Sequence, residues 1–413
     1  MAYVVGLDIG STKVCCLAIE LTASGSLRVV GHGIAPCKGV RRGTVEDIDE
    51  TVRAVRVAKE AAETMAGFAI DSAYVGVTGE HILSTNSKGA IAISNVTREI
   101  TEGDKNRAMQ TAKQVVLPPD REILHAIPRH YTVDGHKGVA NPVNMAASRL
   151  EIEAHIVTAG SAFLRNARRC AERAGIAPAE LVLEPLAASM AVLTPEEKEA
   201  GVALIDIGGG TADVAVFHDG SIFGTGVVPV GAHHVTKDIY MMFRTASIEE
   251  AERLKLQSGC ALIDLVGEDE VASYEEMSSN AKRSIPKKLL TEVIQARMEE
   301  ILELARDEIR KSVRNGAPAG GIVLTGGGSL LKGTVELARK IMNDLPVRAS
   351  GPSVALDGYG DRARHPGLST AVGLALYGAS KLRPEEAVVE VRDGALAKMW
   401  SKAASAFKGW KED

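Results

Sequence analysis

The sequence has little of several features that would point to common classes of protein. Aromatic side chains make up 4% of its 413 residues, and the two tryptophans, Trp400 and Trp410, both lie near the C-terminus. The formal net charge of −5 argues against a nucleic-acid partner, because phosphate binding favours a basic face. No stretch approaches the roughly 18 apolar residues of a membrane-spanning helix. An apolar pattern follows Met1 directly, without a basic segment, which predicts no signal peptide and a cytoplasmic protein.

The cysteines and histidines do not follow a metal-binding pattern. CxxC spacing is absent among the cysteines, so we expect buried, reduced thiols at Cys15, Cys16, Cys37, Cys170 and Cys260. Two histidine pairs lack acidic or cysteine partners at ligand spacing, and packing or surface roles are expected for His125, His130, His233 and His234.

What the sequence does contain is one pattern written twice. YVVGLDIGSTKVCCLAI begins at Tyr3, and VALIDIGGGTADVAVF begins at Val202. Each copy is an apolar run, then Asp-Ile-Gly, a turn of small residues with threonine, and a second apolar run. The pattern predicts a strand, a tight turn of the size of a phosphate group and a returning strand, once in each of two lobes.

Both turns have the chemistry of an anion site. After Asp8, small residues expose backbone N–H groups, hydroxyls add donors and a lysine adds positive charge; these residues are Gly10, Ser11, Thr12 and Lys13. After Asp206, three glycines allow close approach to an oxyanion and a threonine adds a hydroxyl; these are Gly208, Gly209, Gly210 and Thr211. The two aspartates are expected to act through a hydrated Mg²⁺. The alternative for one turn alone is a simple hairpin connector.

A third glycine turn, TGGGS at 325–329, ends a buried apolar strand and opens a helix. Such a strand-to-helix turn suits the close approach of a nucleoside or a phosphate. Together with the first two turns, it predicts a nucleotide site on the second lobe.

Strand and helix patterns alternate along the chain, which predicts an α/β protein. Strands are expected at about 3–9, 13–20, 27–34, 90–94 and 181–185, with helices over 47–65, 102–116, 161–174, 296–313 and 367–380. An α+β insertion interrupts the first lobe and a mostly helical one interrupts the second. The predicted segments are 1–81, 82–160 (first insertion), 161–200, 201–232, 233–301 (second insertion), 302–365, 366–380 (a helix returning to lobe 1), 381–394 (linker) and 395–413 (tail).

The tail predicts an amphipathic helix that lies in a membrane interface. One helical arc would carry large apolar side chains with lysines at its flanks; the residues are Leu396, Met399, Trp400, Phe407 and Trp410, with Lys398 and Lys402. The alternative is a C-terminal helix packed on the body of the protein. The polar linker and the flanking lysines favour the membrane.

The motifs DIGSTK, LEPLAAS, DIGGGTAD, TGGGS and AVGLALYG follow one another in the order of the actin, Hsp70 and sugar-kinase superfamily. Within it, the chain resembles the bacterial FtsA cell division family over nearly its whole length. The resemblance implies a two-lobed actin-like ATPase fold of duplicated ribonuclease-H-like domains. It also implies an SHS2-like subdomain at 82–160, and ATP with Mg²⁺ between the lobes.

The resemblance also assigns roles to single residues. Asp8 and Asp206 would organise the water shell of the metal, and the first two glycine turns would grip phosphates. Glu252 and Lys255 would flank the ribose and adenine, opposite Gly326, Gly327, Gly328 and Ser329. Without the resemblance, Glu252 and Lys255 would be interpreted as a solvated ion pair. Glu184 could orient a water, but the 82–160 insertion replaces the Hsp70 subdomain that supplies a catalytic lysine. Tight ATP binding and slow hydrolysis are therefore expected.

Finally, the resemblance implies partners. These are the FtsZ C-terminal tail, docking on 233–301 near Arg297 and Glu300, other copies of the chain in an actin-like filament, other divisome proteins through 82–160, and the anionic membrane surface. A merely solvated face is the alternative for Arg297 and Glu300. A PilM-type pilus-assembly protein and a small-molecule kinase are the alternatives for the whole chain, and the tail argues against both.

Overall fold

The computed structural model describes residues 2–22, 26–94, 99–277, 281–313 and 318–382. Nearly all of the predicted linker and the whole predicted tail lie outside these ranges. No helix of the described ranges is long and apolar enough to cross a bilayer.

The first lobe opens with the first copy of the repeat. It folds as three antiparallel strands, as predicted: β1 (Ala2–Ile9), β2 (Lys13–Leu21) and β3 (Leu27–Pro36). The next elements are β4 (Val40–Arg41), β5 (Thr44–Val45), α1 (Ile48–Ala66) and β6 (Ser72–Val77). Helix α1 begins where the Asp47 carboxylate accepts a hydrogen bond from the Glu50 N–H at 2.9 Å. It ends at Gly67, whose φ of 77° is left-handed.

The first insertion builds its own sheet, in the order β7-β10-β8-β9. Its elements are β7 (Leu83–Ala92), α2 (Glu102–Ala112), β8 (Arg121–Val133), β9 (His136–Val139) and β10 (Arg149–Gly160). The short strand predicted at 90–94 is wrong in extent, because polar residues Ser84–Lys88 also pair with β10. The predicted helix over 102–116 instead ends at Ala112, where the N–H of the capping residue Lys113 donates to the Met109 carbonyl at 2.9 Å.

After the insertion the chain rejoins lobe 1 through α3 (Ser161–Arg173), β11 (Ala177–Leu183), α4 (Glu184–Val192) and α5 (Pro195–Ala200). Strands β6 and β11 extend the first three strands into the order β11-β6-β1-β2-β3, and a short sixth strand, Leu356–Asp357, joins the β3 edge. The strand predicted over 181–185 ends at Leu183. Glu184 and Pro185 instead begin α4, where proline in the first turn is well tolerated.

The second lobe repeats this architecture. Its elements are β12 (Val202–Ile207), β13 (Ala212–His218), β14 (Ser221–Val228), α6 (Ala232–Phe243), α7 (Ile248–Ser258), β15 (Val271–Glu275), β16 (Lys282–Pro286), α8 (Lys287–Ser312), β17 (Ile322–Thr325), α9 (Thr334–Ile341) and β18 (Val347–Ala349). The sheet order is β14-β13-β12-β17-β18, with the same parallel and antiparallel pairings as in lobe 1.

One helix of the second lobe was predicted wrongly. Helix α8 begins at Lys287 and not near 296, so the predicted boundary at 301 falls inside one continuous helix. The apolar series is unbroken from Leu290 through Ile294, Met298 and Leu302 at helical spacing, and all four side chains are buried.

The chain then returns to lobe 1. Strand β19 (Leu356–Asp357) pairs with β3, and α10 (Ser369–Lys381) packs on α4 and β1. A Cβ at Gly373 would overlap the Ala187 carbonyl and lie 2.9 Å from the Ala188 nitrogen. Helices α4 and α10 therefore cross with their backbones in contact at the base of the cleft between the lobes. Helix α4 also touches β12 and β13 of lobe 2.

Candidate functional site

The two repeated turns adopt the same local structure. The Gly10 N–H donates to the Lys13 carbonyl at 3.0 Å, and the Gly208 N–H donates to the Thr211 carbonyl at 2.9 Å. Each bond closes the turn between two antiparallel strands and leaves the small residues at its tip. The sequence repeat is therefore also a structural repeat.

The two turns also meet each other across the cleft. A Cβ at Gly209 would lie 2.5 Å from Thr12 Cγ2, and one at Gly210 would lie 2.7 Å from Ser11 Cβ. Only residues without side chains allow this approach. The structure thus brings the two predicted phosphate-binding turns together.

Buried carboxylates line the floor between these turns. Burial raises the pKa of Asp8 and of Asp206 to about 6, and that of Asp213 to about 7. Burial, followed by the neighbouring Asp8, also raises the pKa of Glu184 well above its usual range. Burying four carboxylates near one another makes their ionised forms unfavourable. A cation bound among them would stabilise the ionised forms, so the arrangement favours a bound cation. Among the described residues no group of three or more side chains has the geometry to ligate a metal directly.

Hydroxyl groups fix two of these acids. Thr370 donates to Asp206 at 3.0 Å, and Thr211 donates to Asp213 at 3.1 Å. Thr78, at the end of β6, donates to the other oxygen of Asp213. These bonds orient the carboxylates from lobe 2, from helix α10 and from lobe 1 at once.

Lys13 is the first residue of β2 and directly follows the first turn. Its ammonium donates to the Gly367 carbonyl and lowers the pKa of Asp8 and of Asp206 against the larger effect of burial. The sequence predicted a positive charge here, and the structure places it close enough to both aspartates to lower the pKa of each.

The third glycine turn lies against the second. A Cβ at Gly326, whose φ is 81°, would collide with an Asp206 carboxylate oxygen, and one at Gly328 would lie 3.0 Å from Ile207 Cβ. The Ser329 hydroxyl donates to the Gly326 carbonyl at 2.7 Å and closes the turn. Gly327, between them, faces open space. The predicted adenosine side therefore adjoins the predicted phosphate side.

Glu252 and Lys255 form an ion pair on helix α7 at 2.8 Å. Lys255 is buried rather than solvated, and burial lowers its pKa. Its ammonium donates to the Ala232 carbonyl at 3.1 Å, and the Ala232 N–H donates to the Gly208 carbonyl at 2.9 Å. The pair is thus connected to the second turn through one residue.

Sequence reasoning missed three residues of this site, namely Asp213, Thr78 and Thr370. Asp213 pairs directly with Asp206 in the β12–β13 register, whereas Cys15 occupies the matching place opposite Asp8. Because the first copy has a cysteine at this place, the repeat did not mark Asp213 as a site residue. The hydroxyls of Thr78 and Thr370 come from distant parts of the chain, and no local pattern marks them.

Arg297 and Glu300 lie away from the cleft, on the outer face of α8. The Arg297 guanidinium donates two hydrogen bonds to Asp238, at 2.6 and 3.0 Å, and these bonds raise the pKa of Arg297. They border a groove of about 610 Å³ between α6 and α8, lined by Asp238, Met241, Met242, Val293, Ala296, Arg297 and Glu300. Met241 is 74% exposed and Met242 is 62% exposed. A charged rim around exposed apolar side chains is typical of a surface that binds a partner.

The two lobes with matching sheets, joined by crossing helices, define the actin-like ATPase fold. A chain of the PilM–PilN type IV pilus biogenesis complex aligns with a TM-score of 0.65 and 14% identity, covering 91% of this chain and 98% of that one. MreB5 of Spiroplasma citri bound to ADP aligns with a TM-score of 0.52 and 14% identity, covering 92% and 97%. At these identities the likeness shows the fold alone.

Sequence comparison is more specific. A family model described as "Cell division protein FtsA" matches residues 203–373, and one described as "SHS2 domain inserted in FTSA" matches residues 79–158. The cell division protein FtsA of Neisseria meningitidis serogroup B is 41% identical over 401 residues, covering 95% of both chains. That of Pseudomonas aeruginosa is 40% identical, covering 92% of this chain and 89% of that protein, and that of Escherichia coli K12 is 36% identical, covering 98% and 97%.

The chain belongs to the FtsA family of cell division proteins. The predicted family and fold class are confirmed, and the pilus-assembly alternative is supported by the fold alone.

Proposed function

We propose that this chain binds ATP and Mg²⁺ in the cleft, polymerises with itself on the cytoplasmic membrane, and there anchors FtsZ at the division site. Other divisome proteins would bind its 82–160 insertion. The proposal that the chain binds ATP rests mainly on one observation: the two glycine turns meet over four buried carboxylates. The wider role rests on membership of the FtsA family and on the predicted tail.

The residues present fit a magnesium nucleotide. Asp8 and Asp206 lie on opposite lobes, next to turns whose backbone N–H groups suit phosphate oxygens. Bound Mg²⁺ would supply positive charge that offsets the developing charge on the phosphates. A fold neighbour, MreB5, has been solved with ADP and with AMPPNP. This supports the same ligand class here.

We propose that hydrolysis is slow. Glu184 is the candidate for orienting a water, but the 82–160 insertion replaces the subdomain from which Hsp70 supplies a catalytic lysine. Positioning accounts for most of phosphoryl-transfer catalysis, so the loss of one contributing side chain lowers the rate. ATP would then act mainly as the ligand that closes the lobes.

The membrane link is tested by a recruitment experiment. With ATP, the full chain is expected to carry FtsZ onto anionic liposomes in a sedimentation assay. A chain that ends at Arg392, and Trp400→Glu, should each leave FtsZ in the supernatant, because the apolar arc of the tail is lost or charged.

The control is binding of FtsZ in solution, which the truncated chain should retain. Co-sedimentation of both altered proteins with liposomes would remove the membrane proposal. Loss of FtsZ binding in solution would place the anchoring surface in the tail instead of the groove.

The groove between α6 and α8 is the proposed docking site for the FtsZ tail. It offers the apolar side chains of Met241 and Met242 beside the Arg297 guanidinium. A short peptide could bury its apolar residues there and pair an acidic group with the arginine.

Reversing the charge of this groove is expected to weaken binding of a labelled FtsZ C-terminal peptide at least about tenfold, as measured by fluorescence anisotropy. The variants are Arg297→Glu and, for the apolar part, Met242→Ser. The matched control is Arg310→Glu, an exposed position on the same helix outside the groove. Equal affinities for Arg297→Glu and Arg310→Glu would exclude the groove.

A further inference from the structure

We infer that the first insertion acts as a clasp that holds the two lobes together and so limits the rate at which nucleotide leaves the cleft. This inference rests on the proposed nucleotide binding and adds a regulatory role for the insertion. Its basis is that the insertion belongs covalently to lobe 1 but is also bonded to lobe 2.

The attachment to lobe 1 lies at the root of the insertion. The chain enters after Thr78 and leaves through Gly160 into α3. The Leu183 N–H of β11 donates to His125 Nε2 at 3.0 Å, and Ile127 and Val157 belong to a hydrophobic core that is built mostly from lobe 1. The root is therefore fixed both by the chain and by packing.

The attachment to lobe 2 lies further along the same sheet, against strand β14. The Ser84 hydroxyl donates to the Thr225 carbonyl at 2.9 Å, and the Asn86 amide donates to the Phe223 carbonyl at 3.3 Å. The Ser221 hydroxyl donates to the Arg129 carbonyl at 2.7 Å. Each of these bonds joins a residue of the insertion to a residue of lobe 2.

His155 and Arg129 form the centre of this attachment. His155 is buried, with Nδ1 2.8 Å from the Asn86 side-chain oxygen and Nε2 3.0 Å from the Thr225 hydroxyl. Burial lowers the pKa of His155 to about 4, so the ring is neutral near pH 7. The Arg129 guanidinium lies 3.7 Å from the centre of the Phe223 ring. Buried polar groups that satisfy one another are costly to separate.

The lobe 2 end of the clasp connects directly to the site. Strand β14 pairs with β13, and β13 carries Asp213, which accepts a hydrogen bond from Thr78 at the entry to the insertion. If the lobes separate, either the hydrogen bonds to β14 must break, or the insertion must move with lobe 2 and its root must come away from lobe 1. The clasp therefore resists opening of the cleft.

The test removes the clasp without touching the site. The clasp variant combines Ser84→Ala, Asn86→Ala, Ser221→Ala and Thr225→Val, which removes the side-chain hydrogen bonds to β14 described above. The control is Thr85→Val, since neighbouring residues of a strand point to opposite faces and Thr85 is exposed. If the combined variant does not fold, Thr225→Val alone repeats the test with one bond removed.

Two measurements are made on full-length proteins. Spin labels on cysteines introduced at Glu60 in lobe 1 and Glu303 in lobe 2, both exposed, report the distance between the lobes, because the five native cysteines are buried. Stopped flow with a fluorescent ATP analogue and Mg²⁺ reports nucleotide release. We expect the clasp variant to show a longer, broader distance distribution without nucleotide and about tenfold faster release. Thr85→Val should match the unaltered chain.

An unchanged distance distribution or an unchanged release rate in a folded clasp variant would overturn the inference. If the unaltered chain does not bind the analogue, the proposed nucleotide function fails. The distance measurement still tests the clasp in that case, since it is made without nucleotide.

Discussion

Asp206→Asn is expected to abolish useful binding of Mg²⁺-ATP and, at the same time, to stabilise the nucleotide-free protein. Loss of the carboxylate that would hold the metal's water shell should lower the affinity by about 100-fold, or about 2.7 kcal/mol. Isothermal titration calorimetry measures this loss. The isosteric amide keeps an oxygen for the Thr370 hydroxyl, so the fold around the turn is retained.

The gain in stability has a definite pH dependence. Burial raises the pKa of Asp206 from 3.8 to about 6, so its charged form destabilises the folded state at neutral pH. Removing this charge should add about 2–3 kcal/mol to the free energy of unfolding. The gain should be full above about pH 6 and should vanish as the pH falls towards 4, where the unaltered side chain is protonated in both states.

The matched control is Asp219→Asn, at an exposed hairpin position of the same sheet with φ 49°, which asparagine also tolerates. It should change neither affinity nor stability. Unchanged nucleotide affinity in Asp206→Asn would remove Asp206 from the site. Reduced stability at pH 7.5 would contradict the electrostatic account of the buried carboxylates.

Gly373→Val is expected to have the largest effect on the fold. A side chain at this position would push into the Ala187 carbonyl where α10 crosses α4. Since both contacting groups are backbone, the clash can be relieved only by moving a helix. We expect a loss of about 3 kcal/mol in the free energy of unfolding, and a thermal midpoint lower by roughly 3–4 °C.

Ala379→Val is the control, because it adds bulk on the same helix at a partly exposed position. It should leave the midpoint within a degree or two of the unaltered chain. Calorimetry on all three proteins decides the matter. Equal midpoints for Gly373→Val and the control would mean that the helices are not packed backbone to backbone.

The repeat made much of the fold predictable. Strands on both sides of Asp8 and of Asp206 were correctly predicted, because apolar runs bounded by small residues are a strong local signal. Helix α1 was predicted to within a residue at each end, since Asp47 and Gly67 are typical residues at helix ends. Where the sequence carried both periodicity and a terminating residue, local chemistry was sufficient.

The rest depended on contacts between distant residues. Strand β7 carries polar Ser84 and Asn86 because that face meets β14, so it lacked the apolar alternation of an ordinary strand. Asp213 reaches the site only through its register with Asp206, and Thr78 only because the lobes meet there. Residues that act across an interface between lobes leave no periodic signal in the sequence.

The crossing of α4 and α10 has a consequence for how the protein is made. Lobe 1 begins at the second residue, yet Gly6 of β1 packs against Ala371 and Leu374 of α10. The core of lobe 1 also contains Val372 and Tyr377 from that helix. During synthesis, the first lobe cannot reach its final packing until residue 381 has been added. The described strands of the second lobe all fall between residues 202 and 349. They are therefore all synthesised before helix α10, which lobe 1 needs. The half that is translated first is thus the half that must finish folding last.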